Sequence, residues 1–437
     1  MVSASADSAS KIVEDQRNFF KTGATRAVEF RKEQLKKMRE MIVQNKVKIC
    51  EAIYKDLRRN TETNMKMEVD GALQTIDFCL SELDDWVKPQ KLDNHQLGQP
   101  LLYFEPKGVV LVITAWNYPA MLAFQPATEA IAAGNTVVIK PSEVSPNTSK
   151  LLKEMFDANF DKKFIAVVEG AAPETQALLE QRFDHIFYTG SSSIAKLIMQ
   201  AAAKFLTPVT LELGGKCPVV VEDDADVEKA AQRIAEGKWL NSGQTCLAPD
   251  YVMTTGEMKP KLVAALQKSI QTMYGENPKK SEQYSRMVNK RHFDRVKAML
   301  DKTNGQVLYK SGEADREDVY IPPIVLDTDL KDALMQDEVF GPVLPIITVK
   351  GLDEAIDVIN DGEKPLGAYL FTNDPKKVDK FLNSTSSGGV TINDILKHVF
   401  VRELPFGGVG NSGMGSYHGK HGFVQLSHAK AVLKRGD

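Results

Sequence analysis

Cysteine is scarce in this chain, four among 437 residues, and Cys50, Cys79, Cys217 and Cys246 are too widely spaced for a disulfide framework or a metal-ligand cluster. That spacing fits a reducing compartment. Long apolar runs are missing, since no stretch approaches the roughly 18 residues needed to span a bilayer. A surplus of charge is missing as well: the net charge is −3, which supplies no field to recruit nucleic acid or an anionic membrane. The opening MVSASADSASKIVEDQ has no apolar core and carries acids, unlike a secretory or transit peptide. The closing Lys434-Arg435-Gly436-Asp437 is neither a hydrophobic tail nor a prenylation box. No internal repeat or low-complexity segment interrupts the chain. The expectation is a soluble cytoplasmic protein without a transmembrane anchor, with peripheral membrane association left open. Its 43% hydrophobic content suffices for a large core, divided between two domains.

What is present begins with charged helices. Apolar residues recur at helical spacing over residues 11–60 (Leu35, Met38, Ile42, then Ile49, Ile53, Leu57), and a second helical run covers Met65 to Trp86. Arg26, Arg31, Lys32, Lys36 and Lys37 read as a solvated face. From Gly108 the pattern changes to short β-branched runs alternating with helices. Gly108–Thr114, Thr136–Lys140, Phe164–Val168, His185–Thr189 and Pro208–Leu211 are five buried parallel strands, which gives a doubly wound sheet. Pro119 is expected at the first position of the helix that follows the first strand. Strand–helix alternation resumes with Pro218–Val221, Tyr251–Thr255, Val343–Val349 and Ala368–Phe371, with helices near 227–240, 259–274, 290–301, 352–360 and 375–383. This marks a second α/β domain.

Ligands of such sheets bind at the carboxyl ends of the strands. Asn117, Lys140, Glu143, Gly190, Ser191, Glu212 and Gly215 stand there. Gly190 and Ser191 open a helix after a strand, where free backbone N–H groups suit a phosphate, although the spacing is not the GxGxxG fingerprint. Cys246 lies in Asn241-Ser-Gly-Gln-Thr-Cys-Leu-Ala-Pro-Asp250, a loop between a helix and a strand. A lone cysteine is more often a small packed residue than a nucleophile, and Cys217 is read as packed. The seven histidines are scattered without metal-ligand partners, so structural roles are expected for them and no metal is expected.

Trp116-Asn-Tyr-Pro119, Lys140-Pro-Ser-Glu143, Tyr188-Thr-Gly-Ser191, Glu212-Leu-Gly-Gly-Lys216, Gly243-Gln-Thr-Cys246, Glu338-Val-Phe-Gly-Pro342 and Pro405-Phe-Gly-Gly-Val-Gly410 occur in this order. The chain thereby resembles the aldehyde dehydrogenase superfamily nearly end to end. Gly23-Ala-Thr-Arg26, Phe30-Arg31, Ala248-Pro-Asp-Tyr251 and Tyr417-His-Gly419 resemble its class 3 branch, which handles fatty and aromatic aldehydes. The resemblance implies a Rossmann-like NAD-binding domain (1–87 and 108–212), a catalytic domain (213–392) and a bridging strand segment (88–107 and 393–437) used in homodimers. It also implies roles. Cys246 would attack the aldehyde, the Asn117 amide and the Cys246 N–H would hold the oxyanion, and Glu212 would activate the water that hydrolyses the thioester. Lys140, Glu143, Gly190, Ser191, Gly215, Glu338 and Phe340 would hold NAD, or possibly NADP. Glu143 favours NAD, because a carboxylate accepts from a ribose 2′-OH and repels a 2′-phosphate.

Two departures stand out. Ala195 occupies a position that is often glycine in the family, which bears on how closely the helix approaches the pyrophosphate. The hydrophobic C-terminal anchor common in fatty-aldehyde members is missing from this chain. The competing readings are a cysteine hydrolase or acyltransferase with a histidine base and no nicotinamide, and a catalytically silent binding protein on the same fold. An intact Cys246 and Glu212 favour the dehydrogenase.

Overall fold

The computed structural model describes residues 4–435; the first three residues of the opening segment and the last two of the closing one lie outside the described residues. Three sheets organise it. The first has the order Gly413–Met414, Val209–Glu212, His185–Thr189, Val109–Ile113, Thr136–Lys140, Ile165–Val167. Its five longer strands run parallel, and only the two-residue strand Gly413–Met414 is antiparallel. The strands Val109–Ile113, Thr136–Lys140 and His185–Thr189 are buried at every position, as continuous β-branched runs require when helices cover both faces. Strand order reverses between Val109–Ile113 and His185–Thr189. This opens a crevice beyond their carboxyl ends.

The second sheet has the order Gln306–Lys310, Ile324–Thr328, Val343–Thr348, Tyr251–Thr254, Pro218–Val221, Gly367–Phe371, Gly389–Ile392, parallel except at the Gln306–Lys310 edge. The third is an antiparallel ribbon of Gln90–Lys91, Gln99–Pro106 and Ser427–Lys434, the last two paired from Ser427 opposite Pro106 to Lys434 opposite Gln99. The intervening C-terminal stretch does not join that ribbon. It sends Gly413–Met414 to the first sheet and packs the helix Gly419–Gln425 against the helices Gly71–Trp86 and Met121–Ala132.

Two local expectations are corrected. The helix after the first strand is Met121–Ala132 with Ala120 as its cap, so Pro119 precedes it and does not open it. Arg31 belongs to no solvated face. It is buried, donating to the carbonyls of Thr25 (3.0 Å), Ala132 (3.0 Å) and Arg26 (2.9 Å). A cation at the carboxyl end of Met121–Ala132 complements the negative end of the helix dipole there. Gly134 (φ 88°) makes the room, because a Cβ would meet the guanidinium at 2.8 Å. Among the described residues, no helix is long and apolar enough to cross a membrane.

Candidate active site

The cysteine loop follows the helix Val227–Trp239 through three left-handed residues, Asn241 (φ 52°), Ser242 (φ 52°) and Gly243 (φ 74°). Side chains of the loop hold this unfavourable backbone in place. Asn241 Nδ2 donates to the carbonyls of Asn117 and Gln244, each at 3.1 Å, and Ser242 Oγ donates to Ser285 O at 2.7 Å. Gln244 bonds Asn241 O (2.9 Å) and Arg286 O (2.9 Å) and accepts from Val288 N (2.9 Å). Cys246 emerges half-buried at the wall of the crevice. Cys217 is buried behind it, its Sγ donating to Cys246 O at 3.4 Å, a packing role.

Asn117, Glu212, Cys246, Glu338 and Phe340 line one chamber of the crevice together with Gly190 and Ser191. Glu212 ends the strand Val209–Glu212, is 2% exposed, and neither of its carboxyl oxygens has a hydrogen-bond partner. Burial raises its pKa well above the ordinary carboxylate range, and Glu129 nearby adds to the rise. Burial likewise pushes the Cys246 thiol up to about 12, the carboxylates of Glu338 and Glu212 reinforcing it while the amides of Cys246 and Leu247 oppose it. Glu338 is raised to about 8 by burial and by Asp250, against a backbone hydrogen bond from Gly215. Gly215 thus contacts Glu338 and does not itself line the chamber. Gly214 admits that carboxylate, since a Cβ would meet Glu338 Oε2 at 2.2 Å. Asn117 is buried, its Nδ2 donating to Gln244 O at 3.1 Å.

A second chamber continues from the first through Thr189, Gly190 and Ser191 to Lys140 and Glu143. Lys140 is 2% exposed, its ammonium donating to Pro141 O (2.8 Å) and lying 3.7 Å from the Glu143 carboxylate. Ser191 caps the helix Ser192–Ala203 without a side-chain bond to its first amides. Gly190 has to be glycine: a Cβ would meet the Tyr188 hydroxyl at 2.2 Å. Ala195 is buried in the core and absent from the chamber wall, so its methyl does not intrude. An ammonium, free helix amides and a carboxylate in one elongated crevice fit a dinucleotide: anion at the helix terminus, ribose hydroxyls at the carboxylates.

Several wall residues carried no signal in the sequence. His292 and Arg295, from the helix Lys290–Lys302, face both chambers. His292 lines the crevice wall, where its packing on Trp116 is compatible with the structural role expected of the histidines. Its ring lies 4.6 Å from that of Trp116, which meets Phe340 edge-on at 5.5 Å. Arg295 donates to the carbonyls of Glu338 (3.3 Å), Val339 (2.7 Å) and Phe340 (3.1 Å), steadying a turn in which Phe340 has φ 42°. Leu122, Phe406 and Tyr417 complete an apolar wall around Cys246. Phe406 and Tyr417 belong to motifs that the sequence offered and Leu122 to a helical run, but only the fold aims the three at the crevice.

The family model described as "Aldehyde dehydrogenase family" matches residues 1–432. The chain is 47% identical to the Mus musculus "Aldehyde dehydrogenase, dimeric NADP-preferring" over 430 residues, covering 98% of this chain and 94% of that protein. It is 45% identical to the Pongo abelii "Aldehyde dehydrogenase family 3 member A2", covering 95% and 86%. Among solved structures, the substrate-bound state of Staphylococcus aureus AldH superposes with a TM-score of 0.95 at 41% identity, covering 98% of this chain and 94% of that one. A Mycobacterium tuberculosis aldehyde dehydrogenase complexed with NAD+ gives a TM-score of 0.90 at 26% identity, covering 99% and 91%.

Proposed function

The chain belongs to the aldehyde dehydrogenase family, and from that premise we propose that the crevice is its active site, with Cys246 as nucleophile, Asn117 as oxyanion donor and Glu212 as base. The reaction is the NAD(P)-dependent oxidation of an aldehyde to a carboxylic acid. The observation that carries the assignment is the convergence of Cys246, Glu212 and Asn117, from three separate segments, on one chamber that continues into a second holding Lys140 and Glu143.

Cys246 sulfur bonds to the aldehyde carbon while its proton passes to a base, giving a thiohemiacetal. The carbonyl oxygen takes up the negative charge and is held by the Asn117 amide and the Cys246 N–H. A desolvated thiol with its pKa at about 12 is a poor nucleophile until that proton is removed. Glu212, its carboxyl raised out of the ordinary range by burial, serves the later step, as the base for the hydrolytic water. Bound NAD(P)+ supplies the acceptor for the hydride that leaves the substrate carbon. The resulting thioester is hydrolysed when Glu212 draws a proton from water, oxygen bonds to the acyl carbon, and the C–S bond breaks to return Cys246. Lys140 and Glu143 would hold the adenosine ribose, the Gly190–Ser191 helix terminus the pyrophosphate, and Glu338, braced by Gly215 and with Phe340 beside it, the nicotinamide ribose.

The cofactor domain is assigned to 1–87 and 108–212, the catalytic domain to 213–392, and the bridge to 88–107 with 393–437. A homodimer is part of the same proposal, supported by the dimeric relative and by the ribbon that ends in an open edge at Ser427–Lys434. The apolar wall of Trp116, Leu122, Leu213, Phe340, Phe406 and Tyr417 favours medium- or long-chain aliphatic or aromatic aldehydes over small polar ones. The test is the absorbance of reduced nicotinamide with NAD and with NADP while hexanal, hexadecanal and benzaldehyde are titrated. Turnover lost in Cys246→Ser is expected. Turnover retained there would remove Cys246 from the role, and a preference for short polar aldehydes would overturn the substrate class.

A further inference from the structure

Between the helix Val28–Leu57 and the helix Gly71–Trp86 the chain makes a short turn, Thr61–Asn64, and then a π-helical turn, Met65–Asp70. A π turn accommodates an extra residue at a cost in geometry and is found mostly where that residue is put to use. Here it carries Glu68, which is fully buried and paired with Arg59, itself 1% exposed. The second Glu68 oxygen, Oε2, accepts from Ala120 N (2.8 Å) and Met121 N (3.1 Å), where a negative charge suits the start of the helix Met121–Ala132.

Arg59 spends its remaining donors locally. Its Nε donates to Asn64 Oδ1 at 2.6 Å, and its Nη1 to the Asn117 carbonyl at 3.0 Å. The guanidinium stands 4.6 Å over the Tyr118 ring, and the Tyr118 hydroxyl shares a 2.8 Å hydrogen bond with Thr245 beside Cys246. The Asn117 carbonyl also accepts from Asn241 of the cysteine loop. One buried ion pair therefore touches Asn117, Tyr118, Ala120 and Met121, and ties their backbone to the loop that carries the nucleophile. A buried ion pair is an inefficient way to add stability, since an apolar pair of similar volume avoids the desolvation cost. Its charge makes sense as a geometric constraint.

We propose that the Arg59–Glu68 pair is the positioning element of the oxyanion site, fixing the Asn117 backbone so that its amide faces the chamber beside Cys246 before substrate arrives. The inference rests on the assignment of Asn117 as oxyanion donor. Neither residue of the pair lines the chamber, so both act through Asn117.

The experiment measures the single-turnover rate of reduced-nicotinamide formation and the affinity for NAD in Glu68→Gln, Arg59→Lys, Asn117→Ala, and each pair variant combined with Asn117→Ala. Circular dichroism and thiol titration of Cys246 confirm folding in each. Glu68→Gln is expected to slow the single turnover at least about tenfold, with NAD affinity unchanged. Arg59→Lys, keeping a cation but not the fork of donors, is expected to lose less. In the Asn117→Ala background, either substitution should add less than about twofold. A wild-type rate in folded Glu68→Gln and Arg59→Lys overturns the proposal, as does an undiminished loss on top of Asn117→Ala. A wild-type rate in Asn117→Ala alone instead overturns the oxyanion assignment, and the proposal with it.

Discussion

Cys246, the proposed nucleophile, has its thiol pKa pushed up to about 12, by burial first and then by the carboxylates of Glu338 and Glu212. Alkylation of the free protein by iodoacetamide should accordingly keep accelerating as pH rises past about 10, since only the thiolate reacts. A plateau reached near neutrality would show a thiolate already formed. Glu129, buried beneath the helix Gly419–Gln425 where a Cβ on Gly422 would strike its carboxyl, is raised to about 8 chiefly by burial. A carboxyl with a raised folded pKa binds more protons folded than unfolded, so its contribution to stability is complete below about 4.3 and is lost as pH climbs through 8. Glu129→Gln lacks that loss. Its melting temperature relative to the parent should rise between pH 5 and pH 8 and level off above; a difference independent of pH would contradict the assignment.

The elements that meet at the crevice are held by close backbone approaches as much as by side chains. Gly243 joins the cysteine loop to the Glu338 turn: at φ 74°, a Cβ would lie 2.2 Å from Gly341 O. Gly243→Ala should cost at least about 1–3 kcal/mol in denaturant unfolding and lower turnover together with NAD affinity, because both loops must shift. An unchanged midpoint would mean the contact is soft. The same elements show what can be read without coordinates. Strands such as Val109–Ile113 and Thr136–Lys140 are legible because burial on both faces leaves an unbroken β-branched run. Gln306–Lys310 leaves no such trace, being an antiparallel edge with its residues exposed or half-buried, and Gly389–Ile392 hides behind Gly388 and Gly389. Arg59 and Glu68 look like surface charges on a helical stretch, as Arg31 does. Their burial depends on segments far along the chain: the Trp116–Met121 stretch for the pair, and the end of Met121–Ala132 for Arg31. Motifs carried Cys246, Glu212, Asn117 and the residues proposed to hold the cofactor. His292 and Arg295 had only helical spacing to mark them, and that does not say which way a helix faces.

For the whole molecule, the ribbon Gln99–Pro106 with Ser427–Lys434 ends in an edge strand whose residues Ala429, Lys430, Ala431 and Leu433 are exposed. An open edge of this length is a template for another strand. The protein should therefore sediment as a dimer of its 48.4 kDa chain, and Ala431→Pro, which removes one N–H and rigidifies the strand, should shift it toward monomer. Sedimentation of the parent as a monomer at micromolar concentration would contradict this. The proposed mechanism divides turnover between the first half of the chain, which supplies Glu212, and the second, which supplies Cys246. The most direct test is mass spectrometry of Glu212→Gln after mixing with NAD and hexanal. The account predicts one equivalent of reduced cofactor per site and a hexanoyl adduct on the Cys246 peptide that persists while the parent enzyme has cleared it. Steady turnover without an adduct, or an adduct on another residue, would contradict it.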